Sequence, residues 1–153
     1  MNDQPHRPAR LRRWALGALL AGLLVALGLD AWRMAGLRAL ADDWRRAHGA
    51  RDLAGLESLY CWDGVDPALR ARLRLVLIQE FDLPVRAVTA ERCTALDRLQ
   101  ADTQRANLEP AGVIVVEFGS SDGLGARLLA GGPWWSRPRL IVLLPPPRTD
   151  SGS

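Results

Sequence analysis

The chain has 153 residues, a formal net charge of +3 and 48% hydrophobic side chains. With an N-terminal tail and an apolar run set aside, about 115–120 residues remain, enough for one small domain with a real core. All 20 basic residues are Arg, scattered among 17 acids without a basic stripe interleaved with aromatics, which argues against nucleic-acid binding and reads as a bacterial coding bias.

Residues 1–13 are polar and Pro-containing and are expected to form a disordered tail. Trp14–Leu29 follows without a single charge, between Arg12-Arg13 and Asp30. Trp14 and Trp32 lie 18 residues apart, about 27 Å of helix, close to the ~30 Å of a bilayer's hydrocarbon. Trp at both ends suits the lipid–water interface, so residues 14–32 are predicted to be a transmembrane helix. The competing reading is a cleaved signal peptide, with Ala26-Leu27-Gly28 as its small-x-small site. The Arg pair abutting the run is N-terminal, so the positive-inside rule places the N-terminus in the cytoplasm and the C-terminal domain outside it. The expected location is a bacterial inner membrane with a periplasmic domain, in contact with the lipid bilayer.

The helical pattern continues from Trp32 to His48, with Leu37, Leu40, Ala41, Trp44 and Ala47 at helical spacing and Gly49 as a stop. Asp52–Tyr60 reads as a short helix opened by an N-cap residue. Cys61–Val65 is a turn built on Asp63-Gly64. Asp66-Pro67 opens a third helix reaching about Phe81, with Leu69, Leu73, Val76, Leu77 and Phe81 as its expected buried side. Pro84 stops it, and Val85–Cys93 reads as a strand. Thr94–Asn107 fits a short helix on Leu96 and Leu99, or a polar hairpin or loop. Ala111–Phe118 is the clearest strand, with Val113, Val115 and Glu117 on one face and Ile114, Val116 and Phe118 on the other. Ser120–Gly123 is a turn, Ala126–Ala130 a further strand and Arg139–Leu144 the last, before Pro145-Pro146-Pro147 and a disordered tail over 146–153.

Helices first and strands afterwards predict an α+β domain over 33–145, its helices packed on one face of an antiparallel sheet. Asp42-Asp43-Trp44, Asp52-Leu53-Ala54-Gly55-Leu56 and Leu59-Tyr60 resemble the opening of the NTF2-like (SnoaL-like) class, which includes uncharacterised bacterial exported proteins. The resemblance covers roughly residues 35–145 and implies a strongly curved sheet under a long first helix and two shorter ones. That class hosts both enzymes and inert scaffolds, so the resemblance transfers no catalytic residue.

Candidate chemistry is sparse. Trp62 and Asp63 could form the wall and acid–base group of a pocket, or a core plug and a turn former. Glu117 within an apolar strand is a candidate general base if buried; the plainer reading is an exposed residue or one paired with Arg86 or Arg139. His48 is a proton-shuttle candidate, or simply a helix C-terminal residue favoured by the dipole. Trp134 and Trp135 are adjacent and are not expected to point the same way; an exposed one could dip into the membrane surface or anchor a partner, and the plainer reading is ordinary core packing. Cys61 and Cys93 would form a disulfide in an oxidising compartment, or stay as two separate thiols. No metal site, phosphate loop, cofactor motif or serine triad is legible. Two readings follow. One is a non-enzymatic, membrane-anchored module that binds an envelope protein. The other is a small-molecule-binding or enzymatic NTF2-like pocket using Trp62, Asp63, Arg86 and Glu117.

Overall fold

A computed structural model of the chain describes residues 8–119, 123–133 and 135–145, with side chains from residue 17 onward. The elements are α1 (Pro8–Gly49), α2 (Leu53–Ser58), α3 (Pro67–Glu80), β1 (Val85–Arg92), α4 (Ala95–Thr103), β2 (Pro110–Phe118), β3 (Gly125–Gly131) and β4 (Arg139–Leu140). The chain divides into two compact units, one ending at Arg33 and one starting at Met34.

The first unit is the apolar part of α1, a helix long and apolar enough to cross a membrane. The described part of α1 reaches back to Pro8, inside the 1–13 stretch expected to be a disordered tail. Leu19, Leu20, Leu23, Leu24, Val25, Leu27, Leu29 and Trp32 are all exposed. No packing within the chain removes these side chains from solvent.

The second unit is α+β, with an open antiparallel sheet in the order β1-β2-β3-β4. Consecutive strands are neighbours, so each pairing is set by a local connection. Val88 faces Val116 across β1–β2, and Ile114 faces Leu128 across β2–β3. The main core lies on the face that carries Ile114, Val116 and Phe118. Leu37, Leu40, Ala41 and Trp44 of α1 cover it, with Leu56 of α2 and Leu77 of α3. Each large apolar side chain buried there contributes roughly 1.5–3 kcal/mol. Gly112 is required at the contact with α1. A Cβ there would collide with a Leu37 methyl and lie 3.0 Å from the Glu91 carbonyl oxygen.

The local signals work as expected at the helix starts. The Asp52 carboxylate accepts from Gly55 N–H at 2.9 Å, and Asp66 accepts from Ala68 and Leu69 N–H, both at 2.9 Å. Three elements differ from the sequence reading. Val76 is exposed, not buried, and Leu77 is the one fully buried residue described in α3. α4 is a helix, opened by a Thr94–Asp97 capping box, but it buries Asp97 and Ala101 and leaves Leu96 and Leu99 in solvent. It lies by the second face of the sheet, where Ala101 packs with Val113, Leu129 and Ile141. The last strand ends at Leu140 instead of Leu144. Beyond it, Ile141 N–H still bonds to Leu129 O, but Val142 N–H turns to the Asn107 side chain.

Candidate functional site

An open groove of about 600 Å³ lies in the second unit. One wall is formed by α1 from Gly36 to Ala47 and by Ala50 just beyond its end. The other is formed by α2 and the segment Arg137-Pro138-Arg139. Gly36 permits this close approach, since a Cβ there would lie 3.2 Å from Pro138 Cδ. Its charges are mostly engaged. Arg46 pairs with Asp43 at 2.9 Å, Asp52 caps α2, and Arg139 lies 3.6 Å from Asp63. Arg137 has no ion-pair partner among the described residues. The lining contains no His, Cys or Glu, so the groove suits recognition of a carboxylate or a peptide carbonyl better than proton transfer.

The expected pocket residues do not converge on this groove. Trp62 is half-buried; its Nε1–H donates to Glu57 O at 2.7 Å, its ring lies beside Tyr60, and Arg70 sits over it at 4.6 Å. Asp63 is exposed in the turn and accepts from Cys61 Sγ at 3.2 Å. Arg86 is exposed near a register shift in β1. Glu117 is exposed on β2, opposite Ala87, and pairs with neither Arg86 nor Arg139. Of the expected set, only Trp62 and Asp63 are neighbours, and they sit on a stacked turn. Trp135 is 69% exposed, whereas Trp134 lies outside the described residues. Cys61 and Cys93 are free thiols, not a disulfide. Cys61 is fully buried, and burial pushes its thiol up. Cys93 is half-buried, packed against the second cluster.

Three polar arrangements escaped the sequence reading. His48 is not a water-facing end of α1: it is buried, and its Nε2 lies 2.9 Å from the Glu80 carbonyl oxygen. A cleft of about 310 Å³ beside it is lined by Arg45, Arg51 and Phe81, with Arg45 bonded to Val88 O and Arg51 to Asp82. Asp97 takes hydrogen bonds from Thr94 N–H and Oγ1–H, both at 2.8 Å, and from Arg127 at 3.1 Å, while Arg127 also reaches Glu91 at 3.1 Å. Burial alone would raise the Asp97 carboxyl, but these bonds outweigh it and hold it below its ordinary value. Asn107 donates to Cys61 O and Asp63 O and accepts from Val142 N–H, clipping the turn to the chain after β4. The Thr94-x-x-Asp97 spacing was the one local signal for any of these.

Tyr60 and Glu80 are both shifted upward by burial, Tyr60 further by the Glu80 charge. Glu80 ends α3, and neither residue lines the groove. Among the described residues no group of three His, Cys, Asp or Glu is placed to hold a metal ion. No family model, curated protein or solved structure matches the chain.

Proposed function

We propose that the chain is a single-pass, membrane-anchored binding module without catalytic activity, its second unit held at the surface of a bacterial inner membrane on the periplasmic side. The observation that carries this reading is the helical run with Leu19–Leu29 and Trp32 exposed, because so much uncovered apolar surface is costly in water and favourable in lipid. The scatter of Trp62, Asp63, Arg86 and Glu117 supports a binding role over an acid–base site. A protein partner of the envelope would use Trp135, which keeps most of its surface accessible.

The test is purification of the full-length protein from membranes in mild detergent, with mass spectrometry of what accompanies it. A stoichiometric envelope protein lost in Trp135→Ala supports the reading. Release of the chain from membranes by alkaline carbonate removes the anchor from it. One observation favours a second reading, small-ligand binding: the groove with Arg137 and Arg139 on its wall. Saturable binding of a small carboxylate, lost in Arg137→Gln and untouched by Trp135→Ala, would replace the protein-binding reading.

A further inference from the structure

α3 is apolar on two sides. Leu69, Leu73 and Leu77 face inward, with Leu77 buried and the other two half-buried. Ala68, Ala71, Leu75 and Ile78, spaced by three, four and three residues, lie on the opposite side, and all four are exposed. Leu75 is 61% exposed, Val76 46% and Ile78 44%. Such spacing gives a continuous stripe along a helix. An apolar stripe on a helix is ordinarily covered, and this one is exposed.

The charges beside the stripe say what covers it. Arg70, Arg72 and Arg74 punctuate α3, and its one acid is Glu80 at the C-terminal end, half-buried with a carboxyl pushed up by that burial. Arg70 is held over Trp62, and Arg74 is only loosely placed by Glu57 at 3.9 Å. Arg72 has no ion-pair partner among the described residues. A second copy of the same stripe would bring Arg72 and Arg74 against their own kind, which disfavours self-pairing. Apolar side chains flanked by Arg match the boundary between anionic headgroups and acyl chains. The exposed leucines of α4 lack this setting, because the one arginine beside Leu96 and Leu99, Arg98, is offset by the nearby Asp102.

We infer that the outer face of α3 docks on an anionic lipid surface, with Leu75 and Ile78 in the interfacial layer and Arg72 and Arg74 on the headgroups. The inference rests on the anchor reading above, since a chain held by a membrane span meets a bilayer at high effective concentration. The occupant is the lipid itself, whether or not a protein partner binds elsewhere. Docking of this kind makes the unit sensitive to the lipid composition of its membrane.

The experiment places the full-length wild-type chain in phosphatidylcholine vesicles with or without phosphatidylglycerol, each doped with a diazirine-bearing phospholipid. After irradiation, lipid adducts are mapped by mass spectrometry. Trypsin cleavage after Arg74 and Arg86 isolates residues 75–86. Adducts are expected both in residues 19–32 and at Leu75–Ile78, the latter only with phosphatidylglycerol present. Arg72→Gln, which leaves the Arg74 cleavage intact, is expected to lower the α3 yield about fivefold. Adducts in the span with α3 labelled no more than Leu96 and Leu99 overturn the docking and leave the anchor standing. No adducts in the span overturn both. Adduct formation at α3 that falls as the protein-to-lipid ratio rises assigns the stripe to a second copy and also overturns it.

Discussion

The imidazole of His48 lies flat against the indole of Trp44, ring centroids 4.8 Å apart and planes 18° from parallel. Phe81 and Phe118 tilt against the same imidazole at 5.6 and 6.4 Å, and its Nε2 meets the Glu80 carbonyl oxygen. One side chain therefore joins the last turn of α1 to the end of α3 and to β2. Trp44 Nε1 is buried without a hydrogen bond, so packing alone holds the indole, and any loosening around it is felt directly.

His48→Ala removes a ring from three aromatic contacts and leaves the Glu80 carbonyl with Leu83 N–H as its remaining partner. The expected loss is about 3–5 kcal/mol, the range of aromatic truncation in a core. His48→Phe keeps the stack and loses the hydrogen bond, for about 1 kcal/mol. Urea unfolding of the full-length protein in detergent, followed by near-ultraviolet circular dichroism, measures both. Equal losses in the two variants would mean that stacking contributes nothing.

The Asp97–Arg127 pair sets a pH dependence. The Asp97 carboxyl is held below its ordinary value, so the folded state binds that proton more weakly than the unfolded state does. The resulting stability is fully present above the ordinary carboxylate range and is lost as pH falls through the lowered value. Asp97→Asn is expected to cost about 1.5–3 kcal/mol at neutral pH, the range for hydrogen bonds to a charged group. The gap to wild type should close on the acid side of about pH 4. A gap that persists there would show that packing, not charge, sets the cost.

Local chemistry was legible in the sequence and distant pairing was not. Asp52, Asp66 and Pro67 announce their helices because a cap and its N–H groups lie within three residues. β2 announces itself because one residue type dominates both of its faces. The partners of His48, Asp97 and Asn107 lie 30 to 46 residues away, and no short window contains them. In α3 periodicity finds the inner side through Leu69, Leu73, Leu77 and Phe81 and misplaces Val76, which sits at the edge of that side and stays exposed. The expected pocket residues were chosen for their chemical type, and type does not bring side chains together.

The Asn107 side chain bridges the Cys61–Asp63 turn and Val142, with Nδ2–H donors at 2.7 and 3.2 Å and an Oδ1 acceptor at 2.9 Å, beside a backbone bond from Asn107 N–H to Val142 O at 3.2 Å. Asn107→Ala leaves those groups without partners and is expected to cost about 1–3 kcal/mol. Asn107→Asp keeps the acceptor for Val142 N–H and loses the donors. Hydrogen exchange at the Val142 amide therefore rises strongly in the first variant and little in the second. Equal exchange in both would remove Asn107 as the clip.

The two thiols test the same turn by chemistry. Cys61 is fully buried with its Sγ–H on Asp63, and burial pushes it up, as burial also does for the less enclosed Cys93. The thiolate is the nucleophile, so both react slowly in the folded protein, Cys93 ahead of Cys61. Asn107→Ala frees the turn that shields Cys61 and is expected to speed its alkylation while leaving Cys93 unchanged. Iodoacetamide labelling with intact-mass readout at neutral pH separates the two sites. Joining them as a disulfide would require Cα atoms within about 7 Å, and hence movement of any thiol held farther off. Two alkyl groups gained after unfolding without reductant fit the free thiols of the fold, whereas a mass lower by two protons and inert to alkylation would show that the turn rearranges to close the bond.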